Sequence, residues 1–300
     1  MLGIWYIMYF TSLVNLELNI QVGQGLSLGS LGKFYSGRTA ELIGTLSLKV
    51  LSYSLLAVFI YGGASIIQEL FLSHTTRQYP LDAIAACFTG ITIILLSLPI
   101  KFIDYFNRFL FTGLLAVVGI LIVALTLTIN WTRLPLVSEH YNEPLVWISI
   151  IPVVFTSFGF QVIFHTLTNY CNFDVKMLKR AFFWGSLVPA IVYILWTSSV
   201  LSVIHHENQP FYTQMSEGKA KVGELVVVLA GIARWESIQV LIGWISLLAI
   251  VTSILGVGLG LCDSFKRMLL NAIPNAVMRS LIASALTVVP AYLVVLFVPN

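Results

Sequence analysis

Apolar residues lie along this chain in long continuous blocks separated by short polar stretches, with no strand-like alternation. Eight blocks can be read, at about 1–19, 41–68, 82–99, 109–129, 144–168, 181–203, 237–261 and 280–298. Blocks of this kind match the roughly 17 to 25 residues that a helix needs to cross a hydrocarbon core. In lipid every backbone N–H and C=O must be satisfied within the protein, which leaves helices or a closed barrel. The continuity of the blocks selects helices. The pattern therefore predicts an all-α, polytopic membrane protein forming a single transmembrane domain over 1–300.

Composition agrees, with 58% hydrophobic and 10% charged residues and a mean hydropathy of +0.92, against about 25% charged residues in soluble domains. The net charge of +3 is small and scattered, so the implied partner is the lipid bilayer and not nucleic acid. Cys87, Cys171 and Cys262 have neither disulfide nor metal spacing. No paired carboxylates and no nucleophile with a base occur in the spans, so the chain does not read as an enzyme, and no cofactor or metal is implied.

Charge sets the orientation. Lys33, Arg38, Lys101, Arg108, Lys176, Lys179, Arg180, Lys266, Arg267 and Arg279 lie in the connections after the first, third, fifth and seventh spans; the other connections hold Arg77, Arg133, Lys219, Lys221 and Arg234. The richer set marks the cytoplasmic side. Met1 then starts outside with no basic leader, which suggests that at least one helix is missing ahead of it; a protein whose N-terminus truly lies outside explains the same pattern. The connection from 204 to 236 faces out, and its segment 222–233 (VGELVVVLAGIA) suits a helix lying on the membrane surface.

The fifth span carries PVVFTSFGFQVIFH at 152–165. Pro152 withholds a donor, Thr156 and Ser157 offer hydroxyls to the backbone, and Gly159 loosens it. Together they predict an unwound segment near the bilayer midplane, as in the broken helices that hold substrate in secondary transporters. Free carbonyls near Phe155 to Ser157 would favour an ammonium group and the following N–H groups an anion, so a zwitterionic amino acid fits. A Pro-kinked, glycine-packed helix with no ligand explains the same residues.

Four passages, in order, carry a family resemblance: DYFNRFLF (104–111), PVVFTSFGF (152–160), GSLVPAIVYILW (185–196) and TSILGVGLGLCD (252–263). The chain resembles the tyrosine- and tryptophan-specific permeases. That resemblance implies a LeuT-like five-plus-five inverted-repeat fold of about eleven helices, here the second to ninth, and proton symport of aromatic amino acids across the bacterial inner membrane. The family's glycine-rich first helix and last two helices are not in the sequence, so these 300 residues by themselves are not expected to transport. Under the resemblance Phe155, Phe158 and Phe160 shape a pocket for the ring, Thr156, Ser157 and Gly159 meet the ammonium end, and the bundle rocks around the broken helix. Where the family continues with His-Gly, this chain has Gln161 and Val162, with His165 four residues on.

His165 is a proton-coupling candidate or a neutral, hydrogen-bonded histidine. Glu17, which matches a family Glu, is a second coupling candidate and can pair with Lys49, or Lys49 can snorkel to the interface. Thr252 and Ser253 border the site under the resemblance, or belong to a small-residue packing face with Gly256 and Gly260. Tyr53 is a pocket-wall candidate. Asp104 and Arg108 suit an i,i+4 pair. GLSLG (25–29) has the spacing of a hydrolase motif but no strand-to-helix context, and is expected to be a loop with packing glycines.

Overall fold

The structure is a computed structural model describing residues 1–23, 25–74, 79–128, 142, 144–160, 164, 167–168, 171–217, 219–220, 224–225, 228 and 236–297. Among these the regular elements are helical: α1 (Leu2–Val22), α2 (Leu28–Ser36), α3 (Arg38–His74), α4 (Leu81–Ser97), α5 (Ile100–Thr128), α6 (Pro144–Ser157), α7 (Val175–Glu207), α8 (Gln209–Ser216), α9 (Glu236–Met268) and α10 (Ala276–Phe297). A helix lies at each predicted block. Among the described residues five stretches are long and apolar enough to cross a membrane: Arg38–Leu72, Lys101–Ile120, Val175–Glu207, Gly243–Met268 and Ala276–Phe297; Leu81–Ser97 and Val146–Ser157 are shorter apolar helices.

Three connections differ from expectation or extend it. The predicted loop at 25–29 turns into α2 at Leu28. α5 begins at Ile100, ahead of the predicted span, so Asp104 and Arg108 sit on its first turns and form the expected i,i+4 ion pair at 3.0 Å. In the long connection, α8 forms where none was expected. Asn208 caps it by accepting from the Phe211 N–H at 3.1 Å, with Pro210 in the first turn, a placement that suits a residue without a donor. The expected surface helix at 222–233 lies mostly outside the described residues.

The helices divide into two compact units. The first joins Met1–Val50 to Asn130–Leu201. In it α1 packs on α6 and ends at Gly23, whose left-handed φ of 71° lets its N–H return to the Asn19 and Ile20 carbonyls, a conformation that costs glycine nothing. The buried Asn19 side chain then accepts from the Leu26 N–H at 2.6 Å, fixing the turn into α2. α2 lies against α3 through Gly29. A Cβ there would collide with the Thr45 hydroxyl and stand 3.1 Å from the Glu41 carbonyl, while one on Gly44 would stand 3.0 Å from the Gly29 Cα. The packing role expected for this glycine holds, on a helix instead of a loop.

The second unit joins Leu51–Ile129 to Ser202–Asn300. Its core is aliphatic, with Leu56, Ile60, Leu96, Leu255 and Val288 fully buried. α10 packs on α4 and α9, and α9 on α5. Two hydrogen bonds run from α10 to the ends of α4: Ser280 Oγ donates to the Ser97 carbonyl at 3.0 Å, and Tyr292 Oη to the Asp82 carbonyl at 3.4 Å. The helices are therefore antiparallel. The end of α4, followed by Pro99, leaves carbonyls that helix continuation would have satisfied; besides Ser280, Lys266 Nζ reaches the Leu96 carbonyl at 3.5 Å, a favourable place for a cation. Ser280→Ala is expected to lower stability by about 1 kcal/mol, read as a fall in thermal midpoint in detergent; an unchanged midpoint would show that water serves the Ser97 carbonyl equally well.

Candidate functional site

α6 contains Pro152 and stops at Ser157. Its last turn shows how. The hydroxyls of Thr156 and Ser157 both bend back to the Val153 carbonyl, at 2.8 and 2.9 Å, crowding an acceptor that already belongs to the helical ladder. Beyond it the bonding tightens: Phe158 N–H donates to the Phe155 carbonyl at 3.1 Å, Gly159 N–H to Thr156 at 3.0 Å, and Phe160 N–H to Phe158 at 2.9 Å. Spacing thus falls from four residues to three and then two. The interruption stands where the Thr-Ser-Phe-Gly chemistry placed it. The carbonyls of Phe155 and Thr156, expected to be free, instead accept these turn bonds. The Ser157 carbonyl accepts from Tyr193 Oη of α7, at 3.5 Å.

The rings at the interruption pack closely. Phe158 is 2% exposed and lies with Met8, Val154 and Ala190, flanked by Trp5, Phe155, Phe160 and Tyr193. Its ring meets that of Tyr193 edge to face, with centroids 5.9 Å apart. Phe160 turns toward Phe164 and Phe182, at 5.1 and 6.4 Å. Trp5 of α1 donates through Nε1 to the Ser186 hydroxyl at 3.0 Å, giving its indole N–H the partner that a polar group in lipid requires. Ser157 is exposed, and Phe155, Thr156, Gly159 and Phe160 are half-buried. The segment is an aromatic-packed break with its polar backbone at the edge of the cluster.

The remaining predicted residues divide between the units. Glu17, in the first, is exposed, and among the described residues no ion pair joins it to the half-buried Lys49. In the second unit, Thr252 on α9 bends its hydroxyl to the Leu248 and Ala249 carbonyls, at 2.8 and 3.1 Å, beside a half-buried Ser253. Tyr53 on α3 donates to the Leu286 carbonyl of α10 at 2.8 Å. Gln161 and His165 lie outside the described residues. A cavity of about 240 Å³ in the second unit is lined by Glu69, Phe211, Gln214, Glu224 and Val228, and none of the predicted site residues lines it. Sequence reasoning missed Tyr193 as a site residue, although GSLVPAIVYILW contains it; the pattern carried no role until α7 brought that hydroxyl to the end of α6.

Comparison of the chain with known proteins finds transport proteins. A tyrosine-specific transport system of Haemophilus influenzae is 28% identical over the whole chain, which spans 72% of that protein. A tryptophan-specific transport protein of Pseudomonas aeruginosa is 26% identical over 86% of the chain, matching 62% of its own length. A glutamine transporter of Aliivibrio fischeri is 23% identical over 78% of the chain and 57% of its own length. The chain thus spans roughly two thirds of the length of the relatives it matches. No solved structure matches it. The long apolar helices and these relatives make it a multi-pass membrane protein. With the tryptophan/tyrosine permease family model matching residues 1–300, the chain belongs to that family.

Proposed function

We propose that the protein is a secondary transporter that carries aromatic amino acids such as tyrosine or tryptophan, together with protons, across the bacterial inner membrane. The observation that carries this reading is the end of α6 at Ser157, followed by the turns of Phe158, Gly159 and Phe160. A carrier must hold a zwitterion in a medium that solvates neither of its charges, and an interrupted helix supplies backbone acceptors and donors at that depth. In this reading the backbone from Thr156 to Gly159, with Gln161, meets the amino acid. Phe155, Phe158 and Phe160 set the apolar surroundings of its ring, and Tyr53, Thr252 and Ser253 are further lining candidates. His165 and Glu17 are the coupling candidates. The helices belong to a LeuT-like five-plus-five inverted-repeat fold, with rocking of a helical bundle giving alternating access. The glutamine transporter among the relatives favours a second reading, a carrier of another amino acid on the same scaffold.

Uptake separates the two. The protein is expressed from its genomic segment, flanking sequence included, in cells lacking their own aromatic amino acid carriers. Labelled tyrosine should enter, excess tryptophan or phenylalanine should suppress it, and excess glutamine should not. A protonophore should abolish uptake, and replacing sodium with choline should leave it unchanged. Suppression by glutamine alone overturns the aromatic reading; a requirement for sodium overturns the proton.

A further inference from the structure

Three stretches that are long and apolar enough to cross a membrane come together at one end of the second unit, and each brings cations there. Lys101 is the second residue of α5, Lys266 and Arg267 close α9, and Arg279 lies in the first turn of α10. Hydrogen bonds tie the α4–α5 and α9–α10 turns to each other. Ser280, next to Arg279, donates to the Ser97 carbonyl at 3.0 Å, four residues before Lys101, and Lys266 Nζ reaches the Leu96 carbonyl at 3.5 Å. Arg279 folds onto its own turn, where Nη1 donates to the Ile273 carbonyl at 3.1 Å. Carboxylates are scarce here. Residues 264–300 include no Asp or Glu, and Asp104 is taken by Arg108 at 3.0 Å. Asp263 is half-buried, and among the described residues no ion pair joins it to any of the four cations.

The surface around these charges is apolar: Phe102, Met268, Val277 and Met278 are each more than half exposed. Water would solvate the cations and not this skirt, and a small anion would match the cations and leave the skirt bare. An anionic amphiphile answers both. Placing Lys and Arg on the cytoplasmic side is satisfied equally well by scattered cations, so topology alone does not account for four of them gathered on two tied turns. Basic pockets between membrane helices on that side are where acidic headgroups bind. We propose that the second unit holds an anionic phospholipid at this end, its phosphate between the two turns and its chains along the exposed apolar residues. Lys101 and Arg267 are the residues that meet the phosphate, since both are exposed and neither is engaged by another group among the described residues. The site goes beyond the transport reading and stands without it.

The test follows the thermal midpoint of the protein, expressed with its flanking sequence and purified in neutral detergent, as phosphatidylglycerol or phosphatidylcholine is titrated in. Phosphatidylglycerol should raise the midpoint at the lower concentration. Lys101→Gln combined with Arg267→Gln should weaken its apparent affinity by roughly ten- to thirty-fold, the contribution of two cations at a membrane surface, and leave the response to phosphatidylcholine unchanged. An unchanged phosphatidylglycerol affinity overturns the proposal. Lys176→Gln combined with Lys179→Gln, exposed cations of the first unit, should have no such effect; an equal loss there would mean diffuse attraction to the whole basic surface and no site. Glycerol 3-phosphate, a headgroup without chains, should not raise the midpoint at the concentration where phosphatidylglycerol saturates. If it does, the turns take a free phosphate and the lipid is wrong. Should the glutamine pair fail to fold, photoactivatable phosphatidylglycerol decides on the wild type: labelling should concentrate in 97–105 and 264–280, and even labelling along the chain counts against the site.

Discussion

Phe158→Ala should destabilise the protein by about 3 kcal/mol, the lower end of the range for losing a buried Phe. The lower end applies because lipid is as apolar as the ring, so little of the cost is transfer from water and most is the unfilled cavity and lost dispersion contact. The side chain is 2% exposed, with Met8 of α1, Val154 of α6 and Ala190 of α7 around it and the Tyr193 ring edge-on. It is also the first residue beyond the end of α6, where the helical ladder gives way to turns. Truncation should therefore both open a cavity and release the turn that Phe158, Gly159 and Phe160 form. Thermal unfolding in detergent reads the stability, and Phe155→Ala, at a half-buried position on the same segment, should cost visibly less. If Phe158→Ala instead melts with the wild type while tyrosine affinity falls, the ring is pocket wall and not packing.

The distinction bears on what the sequence could disclose. The helices were legible because lipid imposes one requirement on every residue of a span, so a block such as 280–298 announces α10 without reference to any other part of the chain. The break in α6 was legible for a similar reason: Thr156, Ser157 and Gly159 act on their own backbone within one turn. Features that need a distant partner were not legible. α2 is short and lies against α3 where Gly29 and Gly44 approach closely, a contact that no periodicity in the sequence signals. α8 had a local signal in Asn208 and Pro210, an N-cap and a first-turn proline, but the greasier run that follows drew the expectation to 222–233. Tyr193 and Tyr53 are the clearest cases, since a tyrosine in a span reads as aromatic surface until its hydroxyl has an acceptor. For Tyr193 that acceptor lies on α6 and for Tyr53 on α10, 233 residues away.

Tyr53→Phe should cost about 1 to 3 kcal/mol, the penalty for stranding a polar group away from water, and Pro290→Ala should erase that cost. Both expectations follow from the helical ladder. Pro290 lies inside α10 and has no N–H, so the carbonyl four residues earlier, at Leu286, loses its intrahelical donor. Leu286 is near the middle of a helix of 22 residues, roughly 15 Å of rise from either end, and lipid offers no replacement. The Tyr53 hydroxyl supplies one at 2.8 Å while its half-buried ring packs on the surrounding core. Phenylalanine at 53 keeps that packing and removes only the donor. Alanine at 290 restores an N–H to the ladder, after which the Leu286 carbonyl no longer depends on α3. A double-mutant cycle on thermal stability in detergent tests the account, because the coupling energy should equal nearly the whole effect of Tyr53→Phe. Additive losses would mean that the hydroxyl serves something other than the gap left by proline, and the pocket wall predicted for Tyr53 would then be the role to pursue through its effect on substrate affinity.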